Sequence, residues 1–199
     1  MQILPLNARP LAIDHIDLDP RWLAHSLSQP QQPISGHAHR STNTRQFDLE
    51  PLRDLGLKVL DRTSLYLTEG LGLDLTGLSL ELQNSWFVYH SRGSSAGPHQ
   101  HRRSVISGCY YLACDRDSGH IQFHSPCVEF ADLPRKTWLP QISPEWSILP
   151  EPGTLLIFPS GLSHSVTESH SPCLRICLAW NIWIRGQISC PDQLSDLKL

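Results

Sequence analysis

Residues 152–166 read Pro-Gly-Thr-Leu-Leu-Ile-Phe-Pro-Ser-Gly-Leu-Ser-His-Ser-Val. A Pro-Gly turn launches a short continuous apolar run, Pro159-Ser160-Gly161 reverses the chain, and His164 opens the next run. That texture, strand, tight break, strand, recurs on both sides. After Gly77 the predicted strands are Ser79–Gln83, Ser85–His90, Ser104–Ala113, His120–His124, Ser147–Leu149, Thr154–Phe158, His164–Thr167 and Leu174–Ile184. Short strands broken by Gly, Pro and Ser at intervals of about ten residues are the signature of a sandwich or barrel. The expected fold is therefore mainly β, a jelly roll.

Upstream the pattern changes. Residues 1–46 are proline-rich and polar, with one helical signal: Asp19-Pro20 supplies a cap and a first-turn proline, and Trp22, Leu23 and Leu27 share a face. From Asp48 to about Gly70, Leu52, Leu55, Val59, Leu60, Tyr66 and Leu67 recur with a helical period, which is the best helix signal in the chain. This gives an N-terminal helical layer (1–76) on a jelly-roll core (77–185) with a tail (186–199), all within one domain of 199 residues. No internal repeat is visible.

With 40% hydrophobic and 18% charged residues and a net charge of −3, the chain has no basic excess to meet a nucleic acid or an anionic membrane. No apolar stretch approaches the roughly 20 residues that span a bilayer, and the first residues do not read as a signal peptide, so the expected location is cytoplasmic. The six cysteines form no CxxC pair, which leaves neither a zinc ribbon nor a disulfide framework and predicts buried thiols. Eleven histidines against sixteen Lys plus Arg raise the question of a metal, which only spacing can answer.

The spacing singles out a few residues. In Gly97-Pro98-His99-Gln100-His101 the two histidines are separated by one residue, so on an extended segment they project from one face with Cα atoms roughly 7 Å apart. His37 and His39 repeat the pattern in a loop-like region and read as surface residues. His164 opens a strand that a sandwich can bring beside an earlier one. Arg175 stands in the apolar run Leu174–Trp180, and no carboxylate lies between Glu168 and Asp192. A guanidinium there needs an anionic partner, either an acid from another strand or a ligand carboxylate.

In order, His99-x-His101, Ser107-Gly108-Cys109-Tyr110-Tyr111-Leu112, Ser118-Gly119-His120-Ile121-Gln122-Phe123 with Pro126, the Phe-Pro-Ser stretch with His164-x-Val, and Arg175 with Trp180-Asn181 resemble the Fe(II)- and 2-oxoglutarate-dependent oxygenases related to the prolyl hydroxylases. The resemblance spans residues 36–185. It implies a double-stranded β-helix, with His99, His101 and His164 as ligands of Fe(II). It further implies that Arg175 grips the distal carboxylate of the co-substrate 2-oxoglutarate, with Tyr111 donating a hydrogen bond to it. Three ligands on one face leave positions for the 2-oxo acid and O₂. Hydroxylation of a substrate then accompanies release of succinate and CO₂. Asn84, Trp86, His124 and Asn181 are candidates to line the pocket.

The chain departs from the family at one position: His101 stands where most members carry Asp or Glu, and no acid occurs between Glu81 and Asp115. A three-His site, a two-His site and a degenerate site remain open. A cupin-like three-His dioxygenase without 2-oxoglutarate and a non-catalytic jelly-roll binding protein are the alternatives. The substrate is not readable, no nucleic acid or membrane partner is expected, and the N-terminal region could form a lid or a homodimer surface.

Overall fold

The computed structural model describes residues 9–125, 133–134, 136–188 and 197–198. Its strands are β1 (Ala12–His15), β2 (Gln31–Pro33), β3 (His39–Ser41), β4 (Leu78–His90), β5 (Ala96–His99), β6 (Ile106–Ala113), β7 (Ile121–His124), β8 (Glu145–Ile148), β9 (Thr154–Pro159), β10 (Ser163–Val166), β11 (Arg175–Ile188) and β12 (Leu197–Lys198). Two α-helices, α1 (Pro20–Leu27) and α2 (Arg53–Leu65), precede the long strands.

The strands form a major antiparallel sheet in the order β1-β9-β6-β11-β4-β3-β2, with β12 added to β11, and a minor sheet in the order β5-β10-β7-β8. The central strands of the major sheet are covered on both faces. On one side Trp22 of α1 and Leu55 and Val59 of α2 share a core with Phe87, Tyr89, Tyr110, Leu112, Leu155, Ile157, Ile176, Leu178, Trp180 and Ile182. On the other, Cys109, Tyr111, Leu156, Phe158 and Cys177 pack with Ile121 and Phe123 of the minor sheet. Double coverage is why Leu155–Phe158 reads as a continuous apolar run rather than an alternating one. The fold is that of a double-stranded β-helix with a helical layer on the outside of its major sheet.

Helix α1 begins as its sequence predicts: the Asp19 carboxylate accepts from the Arg21 backbone N–H at 2.8 Å, with Pro20 at the first position. The second predicted helix is α2, followed by a wider π-helical turn over Tyr66–Gly70. The N-terminal region is more than a helical layer, because β1, β2 and β3 extend the major sheet at both edges. Short polar strands among prolines carry no two-residue hydrophobic alternation, so nothing local announces them. Strand β5 was hidden differently: Gly97-Pro98 reads as a turn, but β5 lies at a sheet edge, where the missing proline N–H costs no ladder bond.

The two strands expected over residues 79–90 are one strand. Their junction is a register shift in which Asn84 faces Asn181 while Leu82 faces Ile182, leaving Gln83 as an extra residue. Cys109 and Cys177 are buried thiols, Cys114 is half-buried, and Cys173 is exposed in the turn before β11, against expectation. Cys127, Cys190 and Pro126 lie outside the described residues. Among the described residues no helix is long and apolar enough to cross a membrane.

Gly108 shows how closely β6 and β11 approach. It faces Trp180 in the ladder, and a Cβ placed on it would collide with the Trp180 indole and the Leu156 carbonyl. Gly108→Ala is expected to cost about 3 kcal/mol, read as a fall of about 6–12 °C in Tm by thermal denaturation.

Candidate metal and 2-oxo-acid site

The period of two along the major sheet assembles the site. Ladder partners share a face, so Asn84, Asn181 and Ser107 form one row, Trp86, Ala179 and Cys109 the next, Val88, Cys177 and Tyr111 the third, and His90 with Arg175 the last. All of these point toward the minor sheet. From that sheet His164, on β10, pairs directly with His99 at the end of β5. His101 follows two residues later, its backbone N–H donating to the Ser160 carbonyl at 3.0 Å.

One ring nitrogen from each of His99, His101 and His164 lies within 4.8 Å of the others. Ring centroids are separated by 5.5 Å for 99 and 101, 4.3 Å for 99 and 164, and 5.1 Å for 101 and 164. The Nδ1 atoms are all engaged on the far side. That of His99 lies 2.9 Å from the Gly97 carbonyl, that of His164 lies 3.0 Å from the Leu162 carbonyl, and that of His101 lies 2.6 Å from Asn181 Oδ1. Carbonyl and amide oxygens only accept, so each Nδ1 carries the proton and each Nε2 presents a lone pair. Burial pushes His164 down to about 3 and lowers His101 as well, which keeps both imidazoles neutral near pH 7. Three imidazoles whose Nε2 atoms converge are a donor set suited to a divalent transition metal.

Asn181 is itself held. Its Oδ1 also accepts from Ser107 Oγ at 2.7 Å, and its Nδ2 donates to Asn84 Oδ1 at 2.8 Å. Ser107 and Ser104 both reach Ser160 Oγ, at 2.7 and 2.8 Å. This serine and asparagine network fixes His101 where the sequence offers no acid. Ser104, Ser107 and Ser160 escaped sequence reasoning because small hydroxyl residues near turns carry no signal of their own.

Arg175 is only 1% exposed. Its Nη2 donates to Tyr111 Oη at 3.2 Å and its guanidinium lies 5.0 Å from the Tyr111 ring centroid, while Nε and Nη1 have no hydrogen-bond partner. No described carboxylate pairs with it. Burial holds the Tyr111 hydroxyl well above its usual range and pushes the Cys109 thiol up to about 12, so neither supplies negative charge. His90, opposite Arg175, is pushed down to about 3 by burial and by the guanidinium, and is neutral. A buried cation with two unused donors fits the planar carboxylate of a small acid.

The other sequence candidates divide. Asn84, Trp86 and Asn181 line a cleft of about 460 Å³ beside His101, together with Gln83, Arg102, Arg103 and Ser104. The Trp86 ring centroid stands 5.8 Å from that of His101. The bulge explains why both Gln83 and Asn84, consecutive in the chain, reach the cleft. His124 is placed elsewhere: its strand neighbour Phe123 packs against His164, and His124 itself bonds Ser165 Oγ at 2.8 Å with Glu145 nearby, on the opposite face of the minor sheet. His37 and His39 are exposed and do not belong to the three-histidine group.

Residues 84–181 match the model of a family described as "Putative 2OG-Fe(II) oxygenase". No curated protein sequence matches the chain. Among solved structures, a Pseudomonas putida prolyl-4-hydroxylase is 17% identical with a TM-score of 0.60 over 88% of this chain and 94% of that one. HygX from Streptomyces hygroscopicus, solved with nickel and 2-oxoglutarate bound, is 8% identical with a TM-score of 0.62 over 88% and 83%. The epimerase SnoN, in complex with Fe3+, alpha ketoglutarate and nogalamycin RO, is 11% identical with a TM-score of 0.63 over 94% and 88%. At these identities the structures speak for the fold, and the likeness to the 2OG-Fe(II) oxygenases is carried by residues 84–181, which match that family's model.

Proposed function

We propose that the chain is a single-domain hydroxylase in which Nε2 of His99, His101 and His164 hold Fe(II), and Arg175 with Tyr111 hold the distal carboxylate of 2-oxoglutarate. The overall change is substrate C–H plus O₂ plus 2-oxoglutarate giving substrate C–OH, succinate and CO₂. Bound Fe(II) with the 2-oxo acid supplies the O₂ activation that this change requires. The protein supplies position and charge. Asn181, Gly97 and Leu162 hold the Nδ1 protons and aim the three lone pairs. Arg175 and Tyr111 orient the 2-oxo acid from inside the sandwich, where water does not compete for the guanidinium.

The observation that carries this reading is Arg175. A cupin-like three-His dioxygenase has no use for a buried guanidinium with Nε and Nη1 unpaired, whereas a co-substrate dianion satisfies both. The test is anaerobic titration with Fe(II) and then 2-oxoglutarate. A weak visible metal-to-ligand charge-transfer band saturating near one equivalent is expected, with succinate formed once O₂ is admitted. Metal binding with no band and no response to 2-oxoglutarate would turn the assignment toward the cupin-like chemistry. Failure to bind Fe(II) at all would leave a jelly-roll binding protein.

A further inference from the structure

The cleft beside His101 has an unusual charge. Its lining residues are Gln83, Asn84, Trp86, His101, Arg102, Arg103, Ser104 and Asn181, which include two guanidinium groups and no acid. Five exposed arginines are paired, Arg21 with Asp19, Arg45 with Asp48, Arg53 with Glu50, Arg62 with Asp14 and Arg185 with Glu81, and Arg9, Arg92 and Arg116 are exposed without an ion pair among the described residues; what sets Arg102 and Arg103 apart is that both line one cleft. Arg102 and Arg103 are exposed and form no ion pair among the described residues.

Their backbone, by contrast, is fixed. The turn that carries them is tied to the scaffold at its start by His101 N–H to Ser160 O, and at its end by Ser160 N–H to Val105 O and Val105 N–H to Ile182 O, each 3.0 Å. Ser104 Oγ adds a bond to Ser160 Oγ at 2.8 Å. Two free cations are thus mounted on an anchored turn, one residue from a proposed metal ligand. An exposed arginine in open solvent needs no partner, but here the pair lines one open cleft together with the Trp86 indole. The ligand set adds to the effect. Three neutral imidazoles around Fe(II) and the 2-oxoglutarate dianion sum to zero, so no net negative charge at the centre repels an incoming anion.

We propose that this cleft takes a small organic substrate bearing an oxyanion, carboxylate or phosphate, which Arg102 and Arg103 bind while its carbon skeleton lies against Trp86. The proposal rests on the reading of His101 as a metal ligand, which puts the substrate carbon next to the reacting centre. The cleft volume of about 460 Å³ suits a small molecule.

The test uses the full chain loaded anaerobically with Fe(II) and saturating 2-oxoglutarate, so that Arg175 is occupied. Binding of phenylacetate is compared with phenylacetamide, and of phenyl phosphate with phenol, by titration calorimetry. At least one anion is expected to bind about 10-fold or more tightly than its neutral counterpart, a ratio typical of charge-assisted hydrogen bonds. Which anion does so distinguishes carboxylate from phosphate. In the double variant R102Q/R103Q that preference is expected to fall to about 2-fold or less, with the charge-transfer band retained. Equal binding of anion and neutral partner, or a preference that survives in the double variant, overturns the proposal. Absence of the band in the parent chain, with an anion preference that is present there and falls in the double variant, would overturn the Fe(II)–2-oxoglutarate reading instead, so the two failures are distinguishable.

Discussion

Replacing Arg175 with methionine is expected to abolish 2-oxoglutarate binding while leaving the ligand-free protein as stable as the parent or more so. The two effects have one cause. In the free protein the guanidinium is buried, with Nε and Nη1 lacking partners and only Tyr111 Oη accepting from Nη2. A buried charge without a counter-ion costs several kcal/mol, and a well-packed apolar side chain of similar length removes that cost; gains of about 1–4 kcal/mol accompany such replacements of buried ionic groups. Removing the cation also removes the charge-assisted bonds to the co-substrate carboxylate, worth about 2–5 kcal/mol when one partner of a buried pair is truncated, which is roughly a 30- to 5000-fold loss of affinity. Differential scanning calorimetry separates the contributions. The parent is expected to rise in Tm with added 2-oxoglutarate and Fe(II), by linkage, whereas Arg175→Met starts at or above the parent and does not respond to the 2-oxo acid. A methionine variant that is strongly destabilised without ligand would mean that Arg175 is a structural residue with an internal partner.

This stability–binding opposition clarifies what the sequence could reveal. Arg175 was conspicuous because an isolated cation among Leu174, Ile176, Cys177 and Leu178 contradicts the local pattern, and such contradictions concentrate at functional sites. His99 and His101 were legible because extended spacing puts them on one face, and His164 because a strand begins on it. The jelly roll followed from the rhythm of short apolar runs and breaks. What could not be read was everything set by long-range pairing. Strands β1, β2 and β3 are recognisable only once β9 and β4 offer edges. The bulge at Gln83 is a relation between β4 and β11, so the break suggested by Asn84 is a shift in register within one strand. His124 shows the limit of period-two reasoning: alternation says it differs in face from Phe123, but which face looks inward depends on where the minor sheet is packed.

The same long-range pairing joins the two halves of the site. Ladder rows from Asn84–Asn181–Ser107 to His90–Arg175 run along one face of two adjacent strand pairs, so the His101 support and the Arg175 anchor are built on the same strand, β11, six residues apart. A strand rises about 3.3 Å per residue, which separates them by roughly 20 Å of contour at Cα. Arg175 stands at one end of that span and Asn181, which supports His101, at the other. Placement on a central strand, bonded on both edges, holds the two anchors at a fixed separation.

Removal of the His101 imidazole is expected to produce the other large effect, and removal of its support a smaller one of the same kind. Four-ligand zinc sites supply about 10–16 kcal/mol of binding energy, or about 3 kcal/mol for each ligand. His101→Ala is therefore expected to weaken Fe(II) binding by about 100-fold or more, measured anaerobically by competition with a chelator. Asn181→Leu keeps the imidazole but removes the Oδ1 that accepts from its Nδ1, and orphans Ser107 and Asn84 within the same network. Loss of such a supporting bond costs about 10- to 100-fold in metal affinity. Asn181→Asp retains an acceptor in the same place and is expected to restore most of the affinity, a rescue that a purely structural role for Asn181 does not predict. If His101→Ala binds Fe(II) as tightly as the parent, the centre is a two-His site and the acceptor network around Asn181 serves packing alone. If His101→Ala loses the metal while Asn181→Leu does not, His101 is a ligand whose ring is oriented by its stacking against His99 and Trp86 rather than by its Nδ1 hydrogen bond.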